Sequence, residues 1–200
     1  YFLFFEVIQK VKPKVFVTDN VPELFTNHLS CLIDIVTMLK NLGYDVEYQF
    51  IDCADFGIPQ FRKRIVIFGV SKERKNKLLK KSWNILSKNK TQCNIKYYLQ
   101  HLENPSKTKD KLQKLYSKRK TKLENEIVLD TNTCEPTIVP YGNRYLIRDK
   151  LDDDKRRITI RESGLLQTFS PEFLFTKDNK TNVTYQQIGN AVPPLLGYLI

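Results

Sequence analysis

The segment that most constrains this chain is residues 55–70, DFGIPQFRKRIVIFGV. Gly57 frees the backbone, and Pro59 fixes its own φ while driving Ile58 toward an extended conformation, so the segment opens on a turn. Gln60, Arg62 and Arg64 then recur at every second position, a spacing that puts them on one face of a strand, with Phe61 and Lys63 on the other. Residues 65–70 are apolar apart from Gly69, as expected of a strand buried on both faces. One amide and two guanidiniums therefore stand at the mouth of a buried strand. They form either a solvated strand end or a set of planar donors aimed at an anion or a base edge.

A helix is expected to end at Pro13, because Phe4, Val7, Ile8 and Val11 fall on one helical face ahead of it. The β-branched run 15–18 follows, and Asp19-Asn20-Val21-Pro22 comes directly after it. That is where open α/β sheets place ligands, although the same four residues also read as a plain Asx turn. Residues 30–41 carry Leu32, Ile33, Ile35, Val36 and Leu39 at helical spacing, and Gly43 is placed to close that helix. Val46, Tyr48 and Phe50 alternate with polar residues into a further strand. Strand, helix, strand, loop, strand is the order of the later part of an α/β sheet.

The middle of the chain differs. Lysines and arginines crowd residues 71–122, with Trp83, Tyr97, Tyr98 and Tyr116 among them, and the whole chain carries a formal charge of +11. A polyanion is the natural partner, unless the run is only a solvated face. The RNP-type aromatic signature and GxxG loop of common RNA-binding modules are both lacking. Four dispersed cysteines with no CxxC argue against a zinc site and against a secreted disulfide framework. No apolar run approaches the ~20 residues needed to span a bilayer. Order resumes at Arg156, where Thr159 and Glu162 make a capping box ahead of Leu165, Leu166 and Phe169. The chain closes on YQQIGNAVPPLLG.

DNV after an apolar strand, then GIPQFRKRIVIFGV, RRITIRESGLLQTF and YQQIGNAVPPLLG together resemble, in order and spacing, the later motifs of the DNA cytosine-C5 methyltransferases. The resemblance spans nearly the whole chain except its basic middle. It implies an α/β fold: the later part of a Rossmann-like methyltransferase sheet (1–70), a small, irregular target-recognition region (71–155) and a return to the catalytic domain (156–200). The implied reaction moves a methyl group from S-adenosylmethionine to C5 of a cytosine flipped out of duplex DNA, with no metal. By resemblance, Asp19 takes the role of the carboxylate that holds the ring's N3/N4 edge, Arg64 lies at the O2 side, and Arg62 and Gln60 order the site and neighbouring phosphates. Gln60 and Thr137 contact DNA, and Asn190 and Val192 shape the cofactor pocket. A restriction–modification setting follows, in the cytoplasm of a bacterium or the nucleus of a eukaryote.

The chain departs from the family pattern at informative places. No cysteine follows a proline, as the family nucleophile does, and none of the seven glycines forms the GxG of a cofactor loop. Asp19 stands where the family has Glu, a reach shorter by ~1.5 Å. Leu165 stands where an Arg is usual, and Ser170 separates Phe169 from Pro171. The expected partners are therefore double-stranded DNA and a missing N-terminal half or complementary subunit, with residues 15–18 and 65–70 left uncovered without it. A non-catalytic DNA-binding remnant is the alternative.

Overall fold

The computed structural model describes residues 2–23, 29–73, 94–100, 102, 127–130, 132–136, 145–148, 155–175 and 181–200. The chain divides into two compact units. One comprises Tyr1–Asp52 and Lys63–Lys90, the other Cys53–Arg62 and Thr91–Ile200.

In the first unit, helix α1 (Phe2–Val11) leads through Pro13 into strand β1 (Val15–Asn20). Helix α2 (Leu29–Asn41) ends two residues before Gly43, whose φ of 91° suits a residue without a Cβ, and strand β2 (Tyr44–Asp52) follows. Strand β4 (Lys63–Ser71) lies between β1 and β2 and is antiparallel to both. Residues 65, 67 and 69 of β4 face the side on which Ile65 and Ile67 pack with Ile8, Phe16, Leu32, Val36 and Leu39. The opposite face is covered too, since Val66 and Val70 have no exposed surface. Residues 65–70 are thus central and buried, contrary to the expectation of an uncovered face. In this three-stranded sheet the edge strands are β1, with Val15 and Val17 exposed, and β2, with Tyr48 and Phe50 exposed.

Gly69 has a steric reason. The Phe16 ring lies over it, held edge-on by Phe4 at 5.7 Å and by Tyr44 at 5.2 Å between centroids, and a Cβ at 69 would overlap that ring. Tyr44 is itself fixed by donating its hydroxyl to Pro13 O at 2.8 Å.

In the second unit, a 3-10 turn (Cys53–Asp55) opens a loop closed at its base by Cys53 N donating to Arg62 O, with the two-residue strand β3 (Gln60–Phe61) inside it. Strand β3 pairs in parallel with β6 (Glu135–Pro136). Helix α3 (Ile95–Leu99) is N-capped by Asn94. Strands β5 (Ile127–Val128), β7 (Tyr145–Arg148) and β8 (Lys155–Arg157) form a small sheet in the order β5-β7-β8. Helices α4 (Ile160–Leu166), α5 (Thr181–Asn190) and α6 (Pro194–Leu199) complete the unit.

The expected capping box is present at α4, with Thr159 and Glu162 exchanging bonds. The same Glu162 carboxylate receives both Arg156 terminal nitrogens, at 2.8 and 2.7 Å. Beside it, Tyr185 donates its buried hydroxyl to Ile158 O at 2.6 Å. Burial, and secondarily the Glu162 charge, push the Tyr185 phenol far above its ordinary 10.0. Among the described residues, no helix is long and apolar enough to cross a membrane.

Two outcomes follow from this packing. Gly69→Ala should destabilise the first unit by about 1–3 kcal/mol through overpacking, read as a lower urea midpoint with loss of amide protection in β4. Tyr185→Phe should cost the second unit about 1–2 kcal/mol near neutral pH. A phenol whose folded pKa is raised lends stability that is complete below its unfolded value of 10.0 and declines as pH climbs beyond it. The native chain should therefore lose protection of α4 above that pH more steeply than the Phe variant does.

Candidate functional site

The first cluster belongs to the first unit. Strand β1 does not stop at Thr18, because its pairing continues through Asp19 opposite Val66 and Asn20 opposite Ile65. Arg64 lies two residues before Val66 on the same face of β4, so Asp19 and Arg64 are diagonal cross-strand neighbours. Arg64 Nε and Asp19 Oδ2 stand 3.6 Å apart, an ion pair longer than a hydrogen bond. Both side chains are largely buried, at 10% exposure for Arg64 and 17% for Asp19. Arg64 Nη1 donates to Lys63 O, which fixes the plane of the guanidinium. The Asn20 amide oxygen accepts from Val21 N at 2.8 Å, one residue on rather than the two of an Asx turn, so the plain-turn reading gives way to the strand, and Asp19 faces Arg64.

Gln60, Arg62 and Arg64 do not form one strand face. The ladder breaks at Arg62, and the chain passes there from the second unit to the first. Gln60 has no exposed surface; its amide nitrogen donates to Leu166 O at 3.0 Å and to Gln167 Oε1 at 2.7 Å. Arg62, 3% exposed, donates Nη1 to Gly189 O at 3.2 Å and Nη2 to Ala191 O at 3.1 Å. Gln167 was not anticipated as a site residue, yet it donates to the same Ala191 carbonyl at 2.6 Å. The available signal was a polar residue standing directly after the apolar pair Leu165-Leu166, at the C-terminal end of α4.

These bonds tie the backbone of residues 189–191 inward and leave the side chains of Asn190 and Val192 exposed. Thr137 lies outside the described residues, as does the basic run of 71–122 apart from Ser71, Lys72, Glu73 and a few residues near 94–102. Cys31 is exposed on α2, whereas Cys53 is buried. Among the described residues, no group of three or more potential ligands could hold a metal ion.

Arg62→Lys replaces a planar fork that spans two carbonyls with a single ammonium. The expected loss is about 1.5–3 kcal/mol in the second unit, measured by chemical denaturation, with exchange rising first at residues 189–195.

The family model for C-5 cytosine-specific DNA methylases matches residues 1–200. The type II methyltransferase M1.HphI of Haemophilus parahaemolyticus is 30% identical over 221 residues, covering 98% of this chain and 58% of that protein. M.SsoII of Shigella sonnei is 29% identical over 206 residues, covering 95% of this chain and 53% of that protein. The chain thus spans a little over half the length of these relatives. Among solved structures, the S. pombe Dnmt2 methyltransferase superposes with a TM-score of 0.70 at 15% identity, over 99% of this chain and 70% of that one. A putative DNA modification methyltransferase encoded within an E. coli prophage gives 0.71 at 19% identity, over 98% and 70%. The structural likeness fixes the fold as the later part of a Rossmann-like methyltransferase. The match along its whole length makes this chain a member of the C-5 cytosine-specific DNA methylase family.

Proposed function

We propose that this chain is the C-terminal portion of a DNA cytosine-C5 methyltransferase, acting on a cytosine flipped from duplex DNA. The observation that carries the reading is the Asp19–Arg64 pair, two opposite charges held on adjacent strands. On a flipped cytosine, the Asp19 carboxylate meets the N3/N4 edge, and the Nη2 corner of Arg64 meets O2. Placed there, the two charges stabilise the ring as its electron density shifts on nucleophilic addition at C6. S-adenosylmethionine, when bound, supplies the methyl group. The turn bearing Asn190 and Val192 forms one wall of its pocket, and Arg62 and Gln60 hold that turn in place. Of the two roles that the resemblance implies for Gln60, full burial favours this ordering of the site over a contact with DNA. Thr137 and the lysines of 71–122 are assigned to the DNA backbone, as part of a target-recognition region over 71–155.

Catalysis then depends on a complementary polypeptide, either the remainder of a longer chain or a separate subunit, which brings the thiolate and the Gly-rich cofactor loop. Its proposed seat is on the first unit. Leu3, Val7 and Val11 recur every fourth residue along the outer face of α1 and are 78%, 54% and 66% exposed. Beside them in sequence, the edge strand β1 exposes Val15 and Val17. A strand added at β1 together with a helix laid on that stripe would cover both. The compartment is that of the DNA: bacterial cytoplasm, or the nucleus in a eukaryote.

The test is methyl transfer from labelled S-adenosylmethionine to unmethylated duplex DNA. The 200-residue chain is assayed alone and with a complementary half carrying the Pro-Cys and Gly-rich motifs. No transfer is expected alone, and transfer to cytosine C5 is expected with the half supplied. In the reconstituted enzyme, Arg64→Ala should lower transfer on the order of a hundredfold while changing DNA affinity little. Transfer by the chain alone, or equal loss of binding and transfer in the variant, overturns the reading.

A further inference from the structure

Ala191 O accepts from two side chains more than a hundred residues apart in the sequence, Arg62 and Gln167. The orientation of the second is not left to chance. Gln167 Oε1 receives Gln60 Nε2 at 2.7 Å, so its own Nε2 points to the other side, where Ala191 O lies 2.6 Å away. Rotating the Gln167 amide by half a turn would set two oxygens against each other at one end and two NH2 groups at the other. Gln60 is oriented in the same way, because Leu166 O takes its second proton. Neither glutamine has exposed surface, so water cannot substitute at either step.

The turn is pinned on its far side as well. Ala191 N donates to Gln187 O and Ile188 O, and Leu195 N, at the start of α6, donates to the Thr168 hydroxyl at 3.0 Å. Thr168 holds a φ of 67°, a backbone conformation uncommon outside glycine and asparagine, directly after Gln167. Residues 166–168 thus present three groups in a row to separate partners: the Leu166 carbonyl to Gln60, the Gln167 amide to Ala191, and the Thr168 hydroxyl to Leu195.

From this we infer that Gln167 is a positioning residue for the turn 189–195, and that Gln60 sets its orientation through an amide relay. Because β3 carries Gln60 and pairs with β6, the relay joins the β3–β6 strand pair to the turn. The inference rests on the proposed cofactor role of Asn190 and Val192 only for its functional consequence. On that reading, a disturbance at β3 reaches the cofactor wall without touching it, and Gln167 is required for cofactor affinity although it contacts no cofactor atom.

The experiment is site-resolved hydrogen exchange on the 200-residue chain. Gln167→Met keeps the volume and removes the donor, so amides of 189–195 should exchange roughly tenfold faster while β4 is unchanged. Gln60→Glu is the decisive variant. At about pH 8 the new carboxylate faces the Leu166 and Gln167 oxygens, flips the Gln167 amide and should deprotect the same turn. Lowering the pH to about 5 protonates a buried carboxyl, whose pKa desolvation raises, and a protonated carboxyl again donates to Gln167 Oε1. Protection relative to the native chain at the same pH should then return. Gln60→Met, which cannot titrate, should show no such recovery and keeps the test open if the Glu variant unfolds.

A turn indifferent to Gln167→Met, or a Gln60→Glu effect identical at both pH values, overturns the relay. S-adenosylmethionine added to the chain with its complementary half separates the two claims. A working relay without cofactor protection at 189–195 would refute the cofactor reading and leave the relay standing.

Discussion

Both neighbouring strands of the first unit take their hydrogen bonds from β4, so nothing in that sheet persists without it. Five apolar side chains of β4, Ile65, Val66, Ile67, Phe68 and Val70, are buried on its two faces. At about 1.5–3 kcal/mol for each buried side chain, this strand alone contributes on the order of 10 kcal/mol of favourable transfer, an upper bound before chain entropy is subtracted. A segment apolar on both faces cannot serve as an edge, and its central place determines what its ends can do. Arg64 opens the buried run, and its Cα cannot shift without disturbing the pairing of Ile65 and Val66.

The break at Arg62 follows from a different requirement. A guanidinium at 3% exposure needs acceptors for its protons, and no partner strand at that position would leave backbone carbonyls unpaired. The carbonyls of Gly189 and Ala191 lie where α5 ends, so they have no following turn to receive and are open to side-chain donors. Arg62 and the end of a helix more than a hundred residues later thus satisfy each other's unpaired groups. Consecutive residues of the Gln-x-Arg-x-Arg pattern serve two compact units because their bonding needs differ, although their spacing is that of one strand.

This is also where the sequence was readable and where it was not. The capping box at Thr159, the stop at Pro13, the helix ahead of Gly43 and the two-faced burial of residues 65–70 were legible because each is decided by residues within a few positions. The strand order β1-β4-β2 was not, since alternation tells which face a residue takes and not which strand lies beside it. Gln60 could not be recognised as an internal residue, because its partners lie 106 and 107 positions away. Nor was the need for Gly69 visible, for it arises from an aromatic ring on a neighbouring strand. The end of β1 was set too early, because pairing with Val66 and Ile65 overrides the turn preference of Asp19-Asn20.

The substitution of Asp for the family's Glu at position 19 can now be placed in this framework. The two charged residues sit on strands bonded directly to each other, so their separation is set by the sheet and not by flexible loops. A side chain on such a scaffold has few ways to recover a lost methylene, and the 3.6 Å between Asp19 and Arg64 is the distance that remains. At that separation the pair retains most of its Coulombic attraction but lacks the directional hydrogen bond that would lock the carboxylate to the guanidinium.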